Sequence, residues 1–236
     1  MRTAFAFLTR IPVGSDGDGA RLSAATAWFS LVGLAVGGLA ALPFLWLPDN
    51  YAALVSILVT VLVTGALHED GFADTCDGVF GGGDPASRRV IMRDSRIGAY
   101  GAIGLWLLLT TRWLLLRDLS EFPWVLAVSA GFSRTAAVML LANQRPDADP
   151  DAKCSSSFSG VRWWHVLHCL AIAIGGAALI FRSPTPVFLC LGVTIAGSGM
   201  LGLLLHQQLG RLTGDALGAV IAVVEVACLA GLVAAL

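Results

Sequence analysis

The sequence predicts an all-α integral membrane protein, a multi-pass helical bundle of about seven transmembrane helices with its N-terminus in the cytoplasm. Of the 236 residues, 56% are hydrophobic and only 13% are charged, and the mean hydropathy is +0.78. A typical soluble domain carries about 25% charged residues. A water-soluble chain of this size could not bury so much apolar surface, and backbone groups in lipid pair most simply within helices. The length fits a single domain, residues 1–236.

Seven apolar runs approach the roughly 20 residues that a helix needs to cross the hydrocarbon layer. They lie at residues 24–47, 51–67, 98–116, 122–142, 164–181, 186–206 and 216–236. Prolines at 48, 123, 184 and 186 stand at or near run ends, where a break in a helix costs little. The second run is short, which leaves open whether its helix continues into the polar segment that follows.

The distribution of positive charge in the loops predicts the orientation. Eleven Lys and Arg residues fall in the N-terminal segment and the loops on its side, whereas the opposite loops carry only Arg117 and Arg182. The positive-inside rule therefore places the N-terminus in the cytoplasm and, with seven spans, the C-terminus outside. The formal net charge of −1 excludes a strongly basic nucleic-acid-binding protein.

The most informative segment is acidic and directly follows the second apolar run. Glu69, Asp70, Asp74 and Asp77 fall within nine residues, and three glycines follow at 81–83. In a helix the three aspartates lie within about 60° of arc, where carboxylates 4 Å apart repel by about 4 kcal/mol at an effective dielectric near 20. Such a face needs cations, and hard oxygen ligands suit Mg²⁺ or Mn²⁺, which also bind phosphates. The alternative is a solvated helix end without a metal.

Two further polar segments are predicted on the same side of the membrane. Arg93 and Arg96 flank Asp94 and offer guanidinium groups that match phosphate geometry, although ordinary positive-inside anchoring explains them equally well. Thr213-Gly214-Asp215 opens the last span. Asp215 either caps that helix or adds a ligand to the acidic segment.

Two ionisable residues are predicted inside the membrane. Glu225 lies about 15 Å along the last helix from Asp215, and Arg134 lies within the fourth apolar run. An ionisable group at this depth faces the bundle or a wet cavity by default. The sequence leaves a structural Arg134–Glu225 pair and a functional role equally open.

Four blocks of the sequence, in order, resemble the adenosylcobinamide-GDP ribazoletransferase family, also called cobalamin synthases. The acidic signature is Glu-Asp-Gly-x-Ala-Asp-x-x-Asp-Gly at 69–78, and the other blocks lie at 7–13, at 92–98 and at 213–219 with Glu225. The resemblance covers nearly the whole chain, and four blocks in the expected order are specific.

The resemblance implies a membrane enzyme of vitamin B12 assembly. Such enzymes join adenosylcobinamide-GDP to α-ribazole, or its 5′-phosphate, and release GMP with the help of Mg²⁺. The expected partners are therefore the corrinoid and ribazole substrates and membrane lipid, with homo-oligomerisation left open. The expected location is the cell (inner) membrane, with the active site facing the cytoplasm.

Roles for the candidate residues follow from this reaction and from the acidic pattern. The catalytic residues are expected to be Asp70, Asp74 and Asp77, with Asp77 favoured as general base. The metal ligands are expected to be Glu69, Asp70, Asp74, Asp77 and Asp215. The substrate-binding residues are expected to be Arg10, Arg93, Asp94, Arg96, Arg134 and Gly214, with the four arginines contacting phosphate oxygens.

Three other functions remain as alternatives. A CDP-alcohol phosphotransferase requires Arg after Ala73 and Asp where Ser87 and Ile91 stand, which argues against that family. An aspartate-rich prenyltransferase is loosely imitated by the acidic segment with Asp215. A cation or proton transporter would use Glu225 and Arg134, but such sites lie at repeat interfaces and the sequence shows no repeat.

Overall fold

The structure is a computed structural model that describes residues 1–14, 19–144 and 157–236, and every regular element in these ranges is a helix. The α-helices are α1 (Arg2–Leu8), α2 (Gly19–Ala25), α3 (Phe29–Ala41), α4 (Asp49–Thr64), α5 (Leu67–Gly81), α6 (Pro85–Ile91), α7 (Ala99–Asp118), α8 (Val125–Asn143), α9 (Trp163–Ile180), α10 (Thr185–Leu209) and α11 (Gly214–Ala235). Short 3₁₀ turns, Thr26–Trp28 and Leu42–Leu45, flank α3. The predicted all-α class is confirmed. Two of the eleven positively charged residues used to predict the orientation, at positions 145 and 153, lie outside the described residues.

Six segments of the described chain are each long and apolar enough to cross a membrane. They are Leu22–Leu45, α7, α8, α9, α10 and α11. Helices α4 and α5 meet the same test only together and are bent by 90° at their junction, so the bundle has six spans, or seven if this pair counts as one. Six of the seven predicted runs therefore match single spans, and the second run lies in the bent pair, which has the shape of a broken span or a re-entrant loop.

The bend between α4 and α5 has a local cause. Gly65 and Ala66 both adopt the left-handed conformation, with φ of 67° and 59°. Left-handed backbone ends a helix readily at glycine, whereas for an alanine it costs about 1–2 kcal/mol. The acidic segment therefore starts a new helix in a new direction and does not extend α4.

Helix α8 forms the centre of the bundle. It is the most buried span, and α3, α9, α10 and α11 all pack against it. Gly33 and Gly37, four residues apart on α3, lie so close to the α8 backbone that a Cβ at either position would overlap the carbonyls of Ala130 or Leu126. Small residues at this spacing let membrane helices approach closely.

Several helix ends meet on one face of the bundle, around the C-terminal half of α5. Arg88 of α6 donates a hydrogen bond of 3.0 Å to the carbonyl of Gln208 at the end of α10, and Arg89 bonds that of Leu209. Cationic side chains suit the partial negative charge of a helix C-terminus. These contacts bring α6 and the end of α10 to the face where α7 and α11 begin.

Candidate active site

The acidic segment is helical, and its packing against α11 brings Asp215 close to it. Helix α5 carries Asp70, Asp74 and Asp77 at steps of four and three residues and packs on α11. At the crossing, a Cβ on Gly71 would lie 2.7 Å from the Asp215 carbonyl oxygen. Residues 144 positions apart in the chain therefore lie next to each other, as the functional alternative for Asp215 predicted.

Three carboxylates form an open group at this crossing, which we call the acidic edge: Asp70, Asp74 and Asp215. Asp70 is exposed, and the other two are half-buried. Asp74 lies close enough to Asp70 and Asp215 to be repelled by the charge of each. Among the described residues no arginine or lysine forms an ion pair with any of the three. The edge is therefore a concentration of negative charge that is accessible to cations.

Asp77 has a different environment from the acidic edge. It is only 8% exposed, and its two oxygens accept hydrogen bonds from the backbone N–H groups of Gly98 and Gly101, each of 2.8 Å. These are the free donors at the N-terminus of α7, where a carboxylate is favourable. Asp77 thus fixes the start of α7 against α5, a task that the sequence analysis did not foresee. The two glycines, three residues apart after Arg96, were the available signal.

Glu69 does not face the acidic edge either. It is 7% exposed, and its Oε1 lies 3.6 Å from Nη1 of Arg112 on α7. Arg112 also places Nη2 2.6 Å from Oε1 of Glu225 on α11, and Arg134 of α8 bonds the other oxygen of Glu225. We call these four residues, Glu69, Arg112, Arg134 and Glu225, the buried ion cluster. Its formal charges cancel, as burial in a low-dielectric bundle requires.

The buried ion cluster holds two of the expected site residues away from the acidic edge. Arg134 is 1% exposed and also donates a hydrogen bond of 3.1 Å to Ser133, so it cannot reach a substrate phosphate from this position. Of the two options left open by the sequence, the structure favours the structural pair with Glu225. Glu69, with its carboxylate turned into the bundle, is likewise not placed to share a metal with Asp70. Arg112 was not singled out, although an arginine within an apolar run was a signal.

The predicted phosphate-binding loop is exposed and partly pre-organised. Nε and Nη2 of Arg96 donate to the two oxygens of Asp94 at 3.0 and 2.7 Å. The hydrogen bonds from Arg96 hold the pKa of Asp94 at about 2, well below its ordinary value. Arg93 is also exposed. The loop therefore presents two guanidinium groups to solvent, close in sequence to the Gly98–Asp77 contact.

Arg10 lies at the bend before α5, and Gly214 lies at the start of α11. The backbone N–H of Arg10 donates to the Val63 carbonyl at 2.7 Å, and its side chain lies over Gly65 at the bend before α5. Gly214 is exposed at the start of α11. There the Thr213 hydroxyl accepts a hydrogen bond of 3.1 Å from the Ala216 N–H, so Thr213 provides the cap and leaves the Asp215 carboxylate uncommitted to that task.

Comparison with known proteins shows the family of this chain. The family model of cobalamin-5-phosphate synthase matches residues 1–233. The chain belongs to this family. It is 37% identical over 240 residues to the adenosylcobinamide-GDP ribazoletransferase of Shewanella sp. (strain W3-18-1), covering 95% of this chain and 90% of the relative. It is 38% identical over 238 residues to the protein of the same name from Shewanella frigidimarina (strain NCIMB 400), with the same coverage. No solved structure matches the chain.

The donor atoms of the acidic edge are carboxylate oxygens, the type of ligand that Mg²⁺ prefers. Within residues 1–14, 19–144 and 157–236, no three His, Cys, Asp or Glu side chains lie close enough to hold a metal by themselves. Mg²⁺ rarely uses such a cage, because it keeps several waters and is bound by one or two carboxylates together with substrate phosphates. Open, mutually repelling carboxylates at a surface fit that mode of binding.

Proposed function

We propose that this chain transfers the adenosylcobinamide-phosphate moiety of adenosylcobinamide-GDP to α-ribazole, or to its 5′-phosphate, and releases GMP. The product is adenosylcobalamin or its 5′-phosphate. Membership of the family and the names of its relatives support the reaction. The single observation that carries the site is the meeting of Asp70 and Asp74 with Asp215 at the crossing of α5 and α11.

The reaction replaces a phosphoanhydride bond at the cobinamide-side phosphorus with a phosphodiester bond to the ribose. The ribose hydroxyl oxygen forms a bond to the cobinamide-side phosphorus, the bond from that phosphorus to the bridging oxygen breaks, and GMP leaves with the electron pair. The hydroxyl proton passes to a base. No redox partner is needed, so the protein has to position the two substrates and stabilise negative charge.

We assign the acidic edge to a magnesium ion that the diphosphate shares. When bound, this ion would neutralise the charge that develops on the diphosphate and on the departing GMP. One or two of Asp70, Asp74 and Asp215 would supply oxygen ligands, and an edge carboxylate that is not engaged with the ion would accept the hydroxyl proton. Asp77 keeps α7 in place through Gly98 and Gly101, so we assign it positioning and not proton transfer.

The exposed arginines complete this assignment. Arg93 and Arg96 bind phosphate oxygens, and Asp94 holds the guanidinium of Arg96 in a fixed direction through its two hydrogen bonds. Arg10 adds positive charge at the bend before α5. The loop charges support an active site on the cytoplasmic side of the cell membrane.

The test is turnover by the purified, detergent-solubilised protein. It is incubated with adenosylcobinamide-GDP and α-ribazole, in Mg²⁺ or with the metal removed by a chelator, and both GMP and the corrinoid product are quantified. We expect stoichiometric GMP and product in Mg²⁺ and neither after chelation. Equal turnover with and without divalent metal would contradict the metal assignment, and absence of turnover with both substrates would contradict the function.

A further inference from the structure

We propose that Arg112 is a positioning residue, whose guanidinium sets the direction and rotation of α5 and thereby brings Asp70 and Asp74 to Asp215. The inference rests on the proposed function only where it predicts a change in turnover. Three contacts of the Arg112 side chain support it, and this side chain is only 6% exposed.

Arg112 holds both sides of the bend between α4 and α5. Its Nη2 donates to the Thr60 hydroxyl at 3.2 Å, on α4 before the bend. Its Nη1 lies 3.6 Å from Glu69, on α5 after the bend. Because Gly65 and Ala66 interrupt the regular helix between these two contacts, the backbone alone does not hold the two helices in a fixed relation. One side chain from α7 bridges the interruption.

The contact with Glu69 also determines how α5 is rotated. Glu69 and Asp70 are adjacent, and adjacent residues of an α-helix point about 100° apart. With Glu69 drawn into the bundle by Arg112, Asp70 points to the exposed side, where it meets Asp74 one turn later. The third contact, 2.6 Å to Glu225, ties the same guanidinium to α11, the helix that carries Asp215.

The pairing within the cluster makes α5 specifically dependent on Arg112. Glu225 has a second guanidinium, that of Arg134, whereas Arg112 is the only cation within ion-pair distance of Glu69 among the described residues. The other oxygen of Glu69 is buried without a hydrogen-bond partner there. Removal of Arg112 leaves Glu69 as an unpaired buried carboxylate, which is strongly unfavourable. Rotation of α5 toward solvent relieves this, and it carries Asp70 and Asp74 away from Asp215.

The test compares Arg112→Met with Arg117→Met, a matched change on the same helix. Arg117 pairs with Asp118 at an exposed end of α7, so its loss removes an arginine without touching α5. Hydrogen exchange followed by mass spectrometry in detergent measures protection helix by helix, and steady-state kinetics measure kcat and KM. Glu69→Gln is the milder second variant, because it keeps the size of the side chain and removes its charge.

For Arg112→Met we expect faster exchange within residues 67–81 with α3 and α8 unchanged, and a loss of about 100-fold in kcat with little change in KM, the size expected from a misplacement of about 1 Å. Arg117→Met should match the wild type in both measurements. In the Arg112→Met/Glu69→Gln double variant, kcat should fall no further than in Arg112→Met, because both changes break the same Arg112–Glu69 contact.

Two results of the exchange measurement would overturn the inference. One is wild-type protection of residues 67–81 in Arg112→Met, and the other is an equal loss of protection in all helices, which would make Arg112 a general stabiliser of the bundle. Additive losses of kcat in the double variant would likewise contradict it. If the wild type shows no GMP release, the proposed function fails, while the exchange comparison still decides the role of Arg112.

Discussion

The acidic edge and the buried ion cluster take their carboxylates from the same two helices, but among the described residues only the cluster pairs them with arginines. Helix α5 gives Asp70 and Asp74 to the edge and Glu69 to the cluster, and α11 gives Asp215 to the edge and Glu225 to the cluster. In the cluster, Arg112 and Arg134 balance the two glutamates. At the edge the described residues supply no such partner. Depth in the bundle therefore decides whether the protein neutralises its own carboxylates.

This contrast separates the carboxylates that hold helices together from those that are free to bind a ligand. Charges buried in a bundle are tolerated only with counter-charges in good geometry, so the cluster fixes helices and exchanges nothing with solvent. Repelling carboxylates at an accessible edge are stabilised when a cation arrives, so the edge is free to bind one together with substrate. Four substitutions test this division.

The largest effect is expected from Arg134→Met in the buried cluster. The change leaves two glutamates facing one guanidinium, and breaking a buried pair in this way costs about 3–5 kcal/mol. Thermal or chemical unfolding in detergent measures the loss. Replacing both partners, in Arg134→Met/Glu225→Leu, should restore most of the stability, because the opposite charges of the remaining Arg112 and Glu69 cancel. A single variant as stable as the wild type would show that the pair does not hold the bundle.

Asp74→Asn tests the acidic edge. We expect a loss of about 100- to 1000-fold in kcat, about 2.7–4 kcal/mol, as for removal of one strong electrostatic contact to a transition state. Folding stability should stay equal or rise, since the change relieves repulsion with Asp70 and Asp215. Asp49→Asn, at the exposed start of α4, is the control and should leave both unchanged. Near-wild-type turnover of Asp74→Asn would remove this carboxylate from the site.

Gly101→Ala probes the junction of α5 with α7. A Cβ at this position would overlap the carboxylate of Asp77, so we expect a loss of stability of about 1–3 kcal/mol from overpacking. The control is Gly192→Ala on α10, where a Cβ meets open space. There the same change should be neutral or stabilise by about 0.5–1 kcal/mol, because alanine favours a helix. The measurement is the unfolding midpoint of each variant. Equal midpoints would contradict the close contact between Gly101 and Asp77.

The smallest effect is expected from Asp94→Asn in the exposed loop. Loss of the paired hydrogen bonds frees Arg96, and KM for adenosylcobinamide-GDP should rise by about threefold, a size typical of exposed ion pairs. The pKa of Asp94 is lowered to about 2, so the contact is complete above the ordinary aspartate value and is lost only as pH falls toward 2. The threefold ratio between variant and wild type should therefore stay constant from pH 8 to pH 5. A ratio that disappears within this range would show that another group holds Arg96.

Local pattern was sufficient to predict the helices, the pairing of Asp70 with Asp74 on one helical face, and the option of an Arg134–Glu225 pair. It did not predict Arg112 as a partner or the burial of Glu69 and Asp77. The apolar runs predict the spans because each helix satisfies its own backbone, and the acidic run predicts a helical face from spacing alone. The bend at Gly65 and Ala66 was not visible, because an alanine rarely adopts a left-handed conformation. The partners of Glu69 and Asp77, Arg112 and the N-terminus of α7, are set by packing between distant segments, and single-sequence spacing carries no information on such pairs.

The most direct test of the division between edge and cluster is metal binding itself. Mn²⁺, which reports by electron paramagnetic resonance, is titrated into the purified protein in detergent with adenosylcobinamide-GDP present. We predict saturable binding to the wild type and to Asp49→Asn, and its loss in Asp74→Asn and Asp215→Asn. Unchanged Mn²⁺ binding in both edge variants would contradict the account.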